Sequence, residues 1–548
     1  MTVPLHVLAR AVGVTLDDDT PVSGIAHDSR RVQPGDLFVA LPGTRLDGAK
    51  YVTEAVARGA VAACVASGAS SPPVAGGDEA AGRAAVPLLR VDDPRLALAR
   101  LSAALHGEPA RALRMIGLTG TLGKTSTALL VEAALTGPAQ ARDVGVVGSL
   151  GARVSGPARA RVPASALPDL DGMTTPDPPL LHRALRAMRD AGVGTVVMEV
   201  TSHALAQHRV DGIAYALGAI TNLVPNEHLD FHRTPENYLR TKARFLDLLT
   251  PDAPLVFNAD DPLVRKMVAE SLAKVSRPIV GVSLGETARA LRKDPDDLAA
   301  RDSAVCVDAV EADAAGTRFV LSIRRDLPRL DGGFVERQDV PVQLSVLGIQ
   351  QLTNAALAAT IALVAGAPAA ELAASLARTP AMRRRMEVVH DAGPLVIDDT
   401  AGHPDTLRAV LGSIGTLRRS ALRVAFGLRG SRGVEINVAL AQALAELVIA
   451  QARSEAVHLV VTWSDDTAGP RDRVTEEERE AAMRVLRTAF DGAPPGTRLR
   501  FDTRASLAGA METLLTGVRD DELVLLLGAQ GMDRAAELAR GLLARRGR

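Results

Sequence analysis

The chain contains few of the residues that stabilise secreted or metal-bound proteins. Only two cysteines, Cys64 and Cys306, occur among its 548 residues, and they lie far apart, without the spacing of metal ligands. This argues against a disulfide framework or a zinc site and fits a reducing cytoplasm. The formal net charge is only −1, so nothing electrostatic favours nucleic acid or an anionic membrane surface as a partner.

Targeting and membrane signals are also missing. The N-terminal segment MTVPLHVLARAVGV has no signal-peptide cleavage pattern, and no uninterrupted apolar stretch is long enough to cross a bilayer. We therefore expect a cytoplasmic protein without a membrane partner. The length suggests about three or four domains, and an apolar fraction of 47% is sufficient for their cores.

Lysine is scarce as well, since only six occur, at positions 50, 124, 242, 266, 274 and 293. In a chain whose basic residues are mostly arginine, a lysine inside a motif is harder to dismiss as surface filler. Lys124 and Lys242 both lie in such motifs.

The most informative segment that is present is GLTGTLGKT at positions 117–125. It follows an apolar segment that we interpret as a buried strand (113–116) and precedes a predicted helix (127–135). A glycine-rich turn between strand and helix directs backbone N–H groups and the positive helix end at one place, where Lys124 adds a cation and the Thr125 hydroxyl can bind Mg²⁺. This predicts a site for nucleoside triphosphate phosphates, although Gly117 lies one residue too early for a strict Walker A motif.

Three segments differ in pattern: residues 1–106 combine short strands and helices, and 107–380 and 381–548 alternate apolar strands with helices. The strands expected in the second are MIGLTG, VGVVGSL, TVVMEV, ALGAITN and PLVFNADDP, and in the third PLVIDDT, LRVAFGLRG, VHLVVTWSDD and ELVLLLGAQG. This alternation predicts parallel sheets covered by helices, with ligands at the carboxyl ends of the strands. We expect an irregular loop over 159–171 and peripheral strands over 286–337.

A carboxylate lies at the end of the predicted strand at 196–200. Glu199 lies at its tip, where a carboxylate near a phosphate loop is a natural ligand of Mg²⁺, directly or through water. Capping of the next helix is the alternative that the strand alone leaves open.

Downstream, His228, Asp230 and His232 have a spacing that could suggest a transition metal. No second ligand cluster matches it, and Pro225 and Pro235 argue against a helix that would bring the three side chains together. We therefore expect a solvated loop, or one histidine that completes a magnesium site.

A helix start is predicted at Thr234, with a threonine cap followed by proline and an acidic residue. On that helix Tyr238, Lys242 and Phe245 share one face. Lys242 is therefore expected on a face with aromatic residues, although a buried stem with a solvated ammonium remains the alternative.

Together these motifs resemble the Mur ligase family, and within it the MurE type, which adds the third amino acid to the UDP-muramoyl peptide. The loop resembles GxTGTNGKT with Leu122 for asparagine, and Asp28 to Gly48 resembles the uridine-binding motif DSRxVxPGxLFVAxxGxxxDG. Further matches are TTPDP at 174–178, EVTSHAL at 199–205, RVDG at 209–212 and the segment 221–242. The resemblance runs from end to end and is strongest between residues 28 and 354.

The resemblance implies a three-domain α/β fold. A central parallel-sheet, P-loop-type ATPase domain (107–380) would be flanked by an N-terminal UDP-binding α/β domain (1–106) and a C-terminal Rossmann-like α/β domain (381–548). It also implies an ATP-dependent ligase, expected as a monomer in the cytoplasm, that adds an amino acid to UDP-N-acetylmuramoyl-L-Ala-D-Glu through an acyl phosphate in peptidoglycan precursor synthesis.

The resemblance also implies residue roles. The residues for ATP are Thr119, Gly120, Thr121, Gly123, Lys124, Thr125, Ser126, Asn354, Arg385 and Asp399. Those for Mg²⁺ are Thr125, Glu199, His228 and Lys242, the lysine being carbamylated by CO₂, and the catalytic set is Lys124, Lys242, Glu199 and His228. Ser29 and Arg30 would hold the uridine nucleotide, and the muramoyl peptide would contact Thr174, Thr175, Ser202 and Arg209. A carbamate suits this place because an ammonium would repel Mg²⁺.

The C-terminal third departs most from the family pattern. Gly402 stands where the DYAHTPD histidine would be, AGKGHE becomes GAQGMD, and the DNPR motif that binds the distal carboxylate of meso-diaminopimelate is absent. Asp466 and Asp533 would favour a side-chain amine, as in L-lysine or L-ornithine, whereas Arg471 could restore carboxylate recognition. A solvated loop is the alternative for these aspartates.

Two other functions remain open. A paralogue could use the same chemistry on another carboxylate, which the altered C-terminal third favours and the uridine motif disfavours. A non-catalytic nucleotide-binding homologue would have little need for Lys124, Thr125, Glu199, His228 and Lys242 together.

Overall fold

The computed structural model describes most of the chain. The described residues are 2–43, 47–69, 86–163, 166–170, 172–225, 227–285, 303–313, 316–344, 349–379, 383–414, 417, 419–430, 433–469, 472–528 and 531–546. They form two compact units, one of Met1–Asp308, Leu321–Val340 and Asn354–Ser375, the other of Ala309–Val320, Pro341–Thr353 and Leu376–Arg548.

The N-terminal part of the first unit combines a four-stranded parallel sheet with helices and with a separate antiparallel pair of short strands. Its strands are β1 (Val3–Pro4), β2 (Pro21–Val22), β3 (Gly24–Ala26), β4 (Asp36–Val39), β5 (Ala62–Ala66) and β6 (Leu88–Val91), and its helices are α1 (Leu5–Ala11), α2 (Val52–Ala57) and α3 (Pro94–Leu105). Strands β1 and β2 form the antiparallel pair, and β3 to β6 pair in chain order, all parallel. All four residues of β4 are buried, as expected for a parallel strand covered on both faces.

The central part is built on a larger sheet. Its strands are β7 (Arg114–Thr119), β8 (Val144–Gly148), β9 (Gly151–Ser155), β10 (Thr195–Glu199), β11 (Leu217–Ile220), β12 (Leu255–Asn258) and β13 (Ile279–Leu284). Its helices are α4 (Lys124–Thr136), α5 (Pro178–Asp190), α6 (Ser202–Ala206), α7 (Leu229–His232), α8 (Pro235–Ala243) and α9 (Pro262–Leu272).

Strand β7 lies in the middle of this sheet, in the order β13-β12-β11-β7-β10-β8-β9. All these pairings are parallel except that of β9 with β8. The carboxyl ends of β7, β8, β10 and β11 therefore lie at one edge, which confirms the sheet and the strands predicted from the sequence.

Further elements follow: β14 (Ser303–Asp313), β15 (Gly316–Ile323), β16 (Leu327–Pro328), β17 (Phe334–Val335), β18 (Gln338–Leu344), α10 (Ile349–Val364) and α11 (Ala369–Ala377). β14 adds to the sheet by pairing with β13. Strands are therefore found over the described part of 286–337, as expected.

The C-terminal part contains a six-stranded sheet. Its elements are β19 (Glu387–His390), β20 (Leu395–Asp399), α12 (Pro404–Ser413), β21 (Ala421–Gly427), α13 (Val434–Ala452), β22 (Ala456–Thr462), α14 (Glu476–Asp491), β23 (Leu499–Arg504), α15 (Leu507–Leu515), β24 (Leu523–Leu527) and α16 (Ala535–Arg546). The order is β19-β20-β24-β21-β22-β23, parallel except for β19.

Three details differ from the sequence-based expectations. Part of the loop expected over 159–171 is a 3-10 helix, Pro157–Arg161. A short helix, α7, fits between Pro225 and Pro235 because His228 and Arg233 at its ends take left-handed φ angles of 56° and 68°. Helix α13 is long and apolar enough, by length and composition, to cross a membrane. It is nevertheless a core helix, since Leu440, Leu444 and others of its residues are buried in the hydrophobic core of the C-terminal sheet.

Two histidines, the buried His182 and the half-buried His106, lie where α3 and α5 pack together. Both ring nitrogens of His182 and the Nδ1 of His106 have no hydrogen-bond partner. Burial lowers the pKa of His182 to about 3. Burial and the nearby arginine charges, Arg186 first, lower the pKa of His106 to about 4. Both histidines are therefore neutral in the folded protein at neutral pH.

We expect His182 to make the protein less stable in acid. Because its folded pKa lies below the unfolded value of about 6.5, its contribution is constant above that pH and is lost as the pH falls towards about 3. Acidification from pH 7.5 to 5.5 should therefore lower the free energy of unfolding by about 1.4 kcal/mol through His182. Urea unfolding of wild type and His182→Leu at the two pH values tests this: the variant should lose less stability on acidification. An equal loss in both proteins would contradict it.

Candidate active site

The candidate site is built at the carboxyl edge of the central sheet. In the sheet register Glu199 lies beside Leu118, and Ile220 lies beside Thr119. The segments that follow β7, β10 and β11 therefore begin next to one another, so residues far apart in sequence meet at this edge.

The phosphate loop connects β7 to α4, as predicted. Gly120 and Gly123 have φ angles of 138° and 82°, a backbone region that favours glycine. Asn222 holds the loop from the next strand: its Oδ1 accepts from the Leu122 N–H at 2.8 Å, and its Nδ2 donates to the Leu122 carbonyl at 3.0 Å. Leu122 thus keeps the loop conformation through its backbone, although it replaces the family's asparagine.

Lys124 bends back over this loop. Its Nζ donates to the carbonyls of Gly120 and Thr121, both at 2.9 Å. Thr121 is held in turn, because its hydroxyl lies 2.7 Å from the Tyr238 hydroxyl and accepts from the Val224 N–H at 2.8 Å. The loop therefore presents a cation and a preformed backbone, a suitable arrangement for phosphate oxygens. Ser126, the next predicted residue, is buried at the start of α4.

Gly117, the early glycine of the motif, has a packing role. A Cβ there would clash with the rings of Phe245 and Tyr215, which lie in the central core. It is a residue of strand β7. This accounts for the departure from a strict Walker A spacing.

Thr125 and Glu199 meet as predicted for a magnesium site. The Thr125 hydroxyl donates to Glu199 Oε2 at 2.9 Å, and Glu199 Oε1 accepts from the Ser149 N–H at 2.9 Å. Glu199 is almost fully buried. A hydroxyl and a carboxylate are oxygen donors of the kind that Mg²⁺ prefers. Within the described residues, no three His, Cys, Asp or Glu side chains converge on a possible metal position.

The predicted acceptor residues join the same network. The Ser149 hydroxyl lies 2.9 Å from that of Thr174 and 3.1 Å from that of Thr125. The Thr175 hydroxyl donates to the Glu199 carbonyl at 2.9 Å. Residues assigned to phosphate, metal and acceptor are therefore linked by direct hydrogen bonds.

Lys242 lies under the phosphate loop and not in solvent. Only 2% of the residue is exposed, and its Nζ donates to the Gly120 carbonyl at 2.6 Å and to the Thr119 hydroxyl at 3.3 Å. Burial, and then the charge of Lys124, hold the pKa of Lys242 well below its usual range, with Glu227 opposing.

The predicted helix start is confirmed, because Thr234 caps α8 by accepting from the Asn237 N–H at 3.2 Å.

The histidine segment forms an aromatic cluster beside α6. The His228 ring lies 4.8 Å from that of His203, and His203 lies 4.3 Å from Phe231. His232 Nε2 lies 3.0 Å from the Ser202 hydroxyl. Ser202 is thus buried against a histidine.

The remaining predicted residues of this unit are anchored as follows. Arg209 contacts Thr175 and Asp177. The Asn354 amide lies so close to Gly123 that a Cβ on Gly123 would clash with it. Asn354 Oδ1 also lies 3.4 Å from the Thr127 hydroxyl. The Ser29 hydroxyl donates to Glu54 at 3.1 Å. The exposed Arg30 donates to both oxygens of Asp28 and lowers the pKa of that carboxyl to about 2.

In the C-terminal part, the predicted nucleotide residues lie at adjoining strands. Arg385 donates to the Thr400 hydroxyl at 2.7 Å. Asp399 accepts from the N–H groups of Met386 and Ala401 at 2.9 and 2.8 Å, and burial raises its pKa.

The predicted amino-acid residues there have partners within the protein. Asp466 accepts from the N–H groups of Leu507 and Ala508 at the start of α15, at 2.7 and 3.2 Å. Asp533 accepts from the buried Arg384. Arg471 lies outside the described residues.

Sequence reasoning missed Ser149, Asn222 and the Thr121–Tyr238 contact. Ser149 directly follows β8, and β8 is the neighbour of β10, so its place after a buried strand was a usable signal. Asn222 lies in the family-like segment 221–242, but its contact with Leu122 depends on the pairing of β11 with β7.

The chain matches descriptions of all three Mur ligase domains. The Mur ligase family catalytic domain matches residues 21–106, the Mur ligase middle domain 118–362, and the glutamate ligase domain of Mur ligases 384–530.

Curated relatives match over most of their length. The UDP-N-acetylmuramoyl-L-alanyl-D-glutamate–2,6-diaminopimelate ligase of Mesorhizobium japonicum is 33% identical, over 92% of this chain and 89% of the relative. The protein of the same name from Streptomyces avermitilis is 32% identical, over 98% and 93%.

Solved structures share the fold. A UDP-N-acetylmuramoyl-L-alanyl-D-glutamate–2,6-diaminopimelate ligase has a TM-score of 0.65 at 21% identity, over the full length of both chains. MurF of Thermotoga maritima in complex with ADP has a TM-score of 0.59 at 18% identity, over 96% of this chain and 99% of MurF.

The fold and the site define a three-domain α/β ligase with a central nucleotide-binding domain. The chain belongs to the Mur ligase family, whose members are ATP-dependent ligases. The expected fold class, family and enzyme class are therefore confirmed. The domain boundaries and the residue roles stay predictions.

Proposed function

We propose that this protein is a cytoplasmic, monomeric ligase that uses ATP to join an amino acid to UDP-N-acetylmuramoyl-L-Ala-D-Glu in peptidoglycan precursor synthesis. The observation that carries this proposal is a series of hydroxyl contacts, from Thr125 to Ser149 and from Ser149 to Thr174. It connects the phosphate loop directly to the residues predicted to hold the acceptor. A carboxylate bound at Thr174 and Thr175 would therefore lie beside the phosphates.

The chemistry proceeds in two steps. A carboxylate oxygen of the acceptor bonds to the terminal phosphorus of ATP, and the bond to the ADP oxygen breaks. The amine then bonds to the carbonyl carbon of the acyl phosphate, phosphate leaves with the C–O electron pair, and the amine loses a proton. Lys124 and the backbone N–H groups of the loop stabilise the charge on the transferred phosphoryl group.

Thr125 and Glu199 would hold Mg²⁺, which supplies further positive charge to the phosphates when bound. We propose His228 and a carbamylated Lys242 as the other ligands. Carbamylation needs a neutral amine: its nitrogen bonds to the carbon of CO₂, one C=O π bond breaks, and a proton goes to solvent. Burial of Lys242 and its proximity to Lys124 favour that neutral form.

For the amino acid we propose 2,6-diaminopimelate, the substrate in the names of the relatives. The expectation of L-lysine or L-ornithine rested on the absence of the DNPR motif and on aspartates, such as Asp466 and Asp533, that would suit a side-chain amine. Asp466 instead caps α15, and Asp533 pairs with Arg384. Carboxylates engaged in this way are weaker partners for a substrate ammonium.

We expect purified protein to release ADP with UDP-N-acetylmuramoyl-L-Ala-D-Glu, and kcat/KM to be at least about tenfold higher for meso-diaminopimelate than for L-lysine or L-ornithine. Coupled ADP assays with each amino acid measure this. A preference for L-lysine or L-ornithine would support the interpretation drawn from the sequence.

ADP release with a different carboxylate acceptor, and none with this one, would indicate a paralogue with the same chemistry. The altered C-terminal third favours that alternative. Nucleotide binding without any turnover would indicate a non-catalytic homologue.

A further inference from the structure

Asp177 occupies a cap position without capping its helix. It is the residue before α5, yet its side chain accepts no hydrogen bond from the N–H groups of that helix. Pro178 and Pro179 begin the helix and have no N–H to donate. The carboxylate is therefore available for other partners.

Those partners come from two different parts of the chain. Asp177 Oδ1 lies 3.1 Å from Nε of Arg209, and Oδ2 lies 3.2 Å from Nε2 of His27. Burial alone would raise the pKa of Asp177, but the hydrogen bond from His27 and the charge of Arg209 outweigh it and lower the pKa. Asp177 is thus an anion shared between two basic side chains.

Arg209 is held on several sides. Its Nη1 donates to the Thr175 carbonyl at 2.9 Å, and its Nη2 donates to Gln207 Oε1 at 2.7 Å. Its side chain is 17% exposed. Nε also donates to Gln207 Oε1, at 3.0 Å. These contacts fix the guanidinium plane, and the second N–H group of Nη2 is the part left to meet a ligand oxygen.

His27 directly precedes the segment predicted to hold the uridine nucleotide, Asp28–Ser29–Arg30. One carboxylate thereby ties the start of that segment to the arginine predicted to hold the muramoyl peptide. The uridine and the peptide are opposite ends of the same acceptor, so their spacing must match that of the two sites.

We propose that Asp177 is a positioning residue for the acceptor: it orients Arg209 towards the acceptor's carboxylate and fixes Arg209 relative to the uridine segment through His27. This inference rests on the proposed function, and it adds a residue to which no ligand contact had been assigned.

The test is steady-state kinetics of Asp177→Asn, which keeps the size of the side chain but removes its charge. We expect KM for UDP-N-acetylmuramoyl-L-Ala-D-Glu to rise about tenfold or more, whereas KM for ATP and kcat should change less than about threefold. A purely structural defect would affect both substrates alike.

The chain offers a matched control. Asp211 also lies between a histidine and an arginine, 2.7 Å from His208 Nδ1 and 4.0 Å from Arg244 Nη2, with 22% of its side chain exposed against 23% for Asp177. Asp211→Asn should leave the acceptor KM within about twofold of wild type.

A double-mutant cycle tests whether Asp177 acts through Arg209. In an Arg209→Ala background, Asp177→Asn should lower kcat/KM for the acceptor by less than about twofold. Three results would each overturn the proposal. They are a full loss of kcat/KM on adding Asp177→Asn to Arg209→Ala, an unchanged acceptor KM in Asp177→Asn, and an equal rise of the acceptor KM in Asp211→Asn. Thermal unfolding of each variant identifies misfolding. A wild-type protein inactive with this acceptor would overturn the proposed function itself, and this proposal with it.

Discussion

Replacing Lys124 by alanine should abolish ATP turnover in a protein that remains folded. Its ammonium is held over the loop by the Gly120 and Thr121 carbonyls, so it is already in place when phosphate binds. Loss of a charge-assisted phosphate contact in a water-poor site costs on the order of 3 kcal/mol in transition-state stabilisation, a rate loss of roughly 100-fold or more. ADP release with saturating acceptor measures it.

Lys266→Ala is the control for this experiment. Lys266 is exposed on α9 and lies 4.0 Å from Glu270, so its removal should leave ADP release unchanged. Lys124→Arg tests geometry, because a planar guanidinium is a poor substitute for a compact ammonium in a tight loop. Near-normal turnover in a folded Lys124→Ala protein would show that this loop is not the phosphate site.

Replacing Lys242 should be equally severe. We expect Lys242→Ala to be inactive and to be partly rescued by short carboxylates such as formate or acetate, because they can supply the missing anion. Lys242→Met keeps most of the buried volume and separates the loss of the amine from a cavity effect. Activity and thermal unfolding, measured with and without added carboxylate, distinguish the two.

The modification itself can be observed directly. With ¹³C-labelled bicarbonate, a carbamate carbon resonance should appear in wild type and in Lys266→Ala but not in Lys242→Met. Full activity of the alanine variant, or active protein without such a resonance, would refute the carbamate.

Lys124 and Lys242 also share the Gly120 carbonyl. Lys124→Ala should therefore raise the pKa of Lys242 by removing a nearby positive charge.

Local patterns were sufficient for most of the fold. The glycine-rich turn between a strand and a helix, the strand that ends at Glu199, and the threonine–proline start of α8 each depend on a few consecutive residues. The predictions failed where neighbours decide the conformation. Helix α7 forms between two prolines because His228 and Arg233 adopt left-handed φ angles.

The sequence by itself determined the type of chemistry, because the glycine-rich loop and Glu199 are recognisable from residue types and their order, and the resemblance to the Mur ligases implies a role for Lys242. Only the tertiary structure decided which side chains meet. The parallel order of β11, β7, β10 and β8 brings Asn222 to Leu122 and Ser149 to Glu199. It also decided that Asp466, 41 residues away in sequence, accepts from the first N–H groups of α15, while Asp177, directly before α5, does not cap α5. Spacing along a chain specifies an element and its exposed face, whereas contacts between elements depend on how distant strands pair.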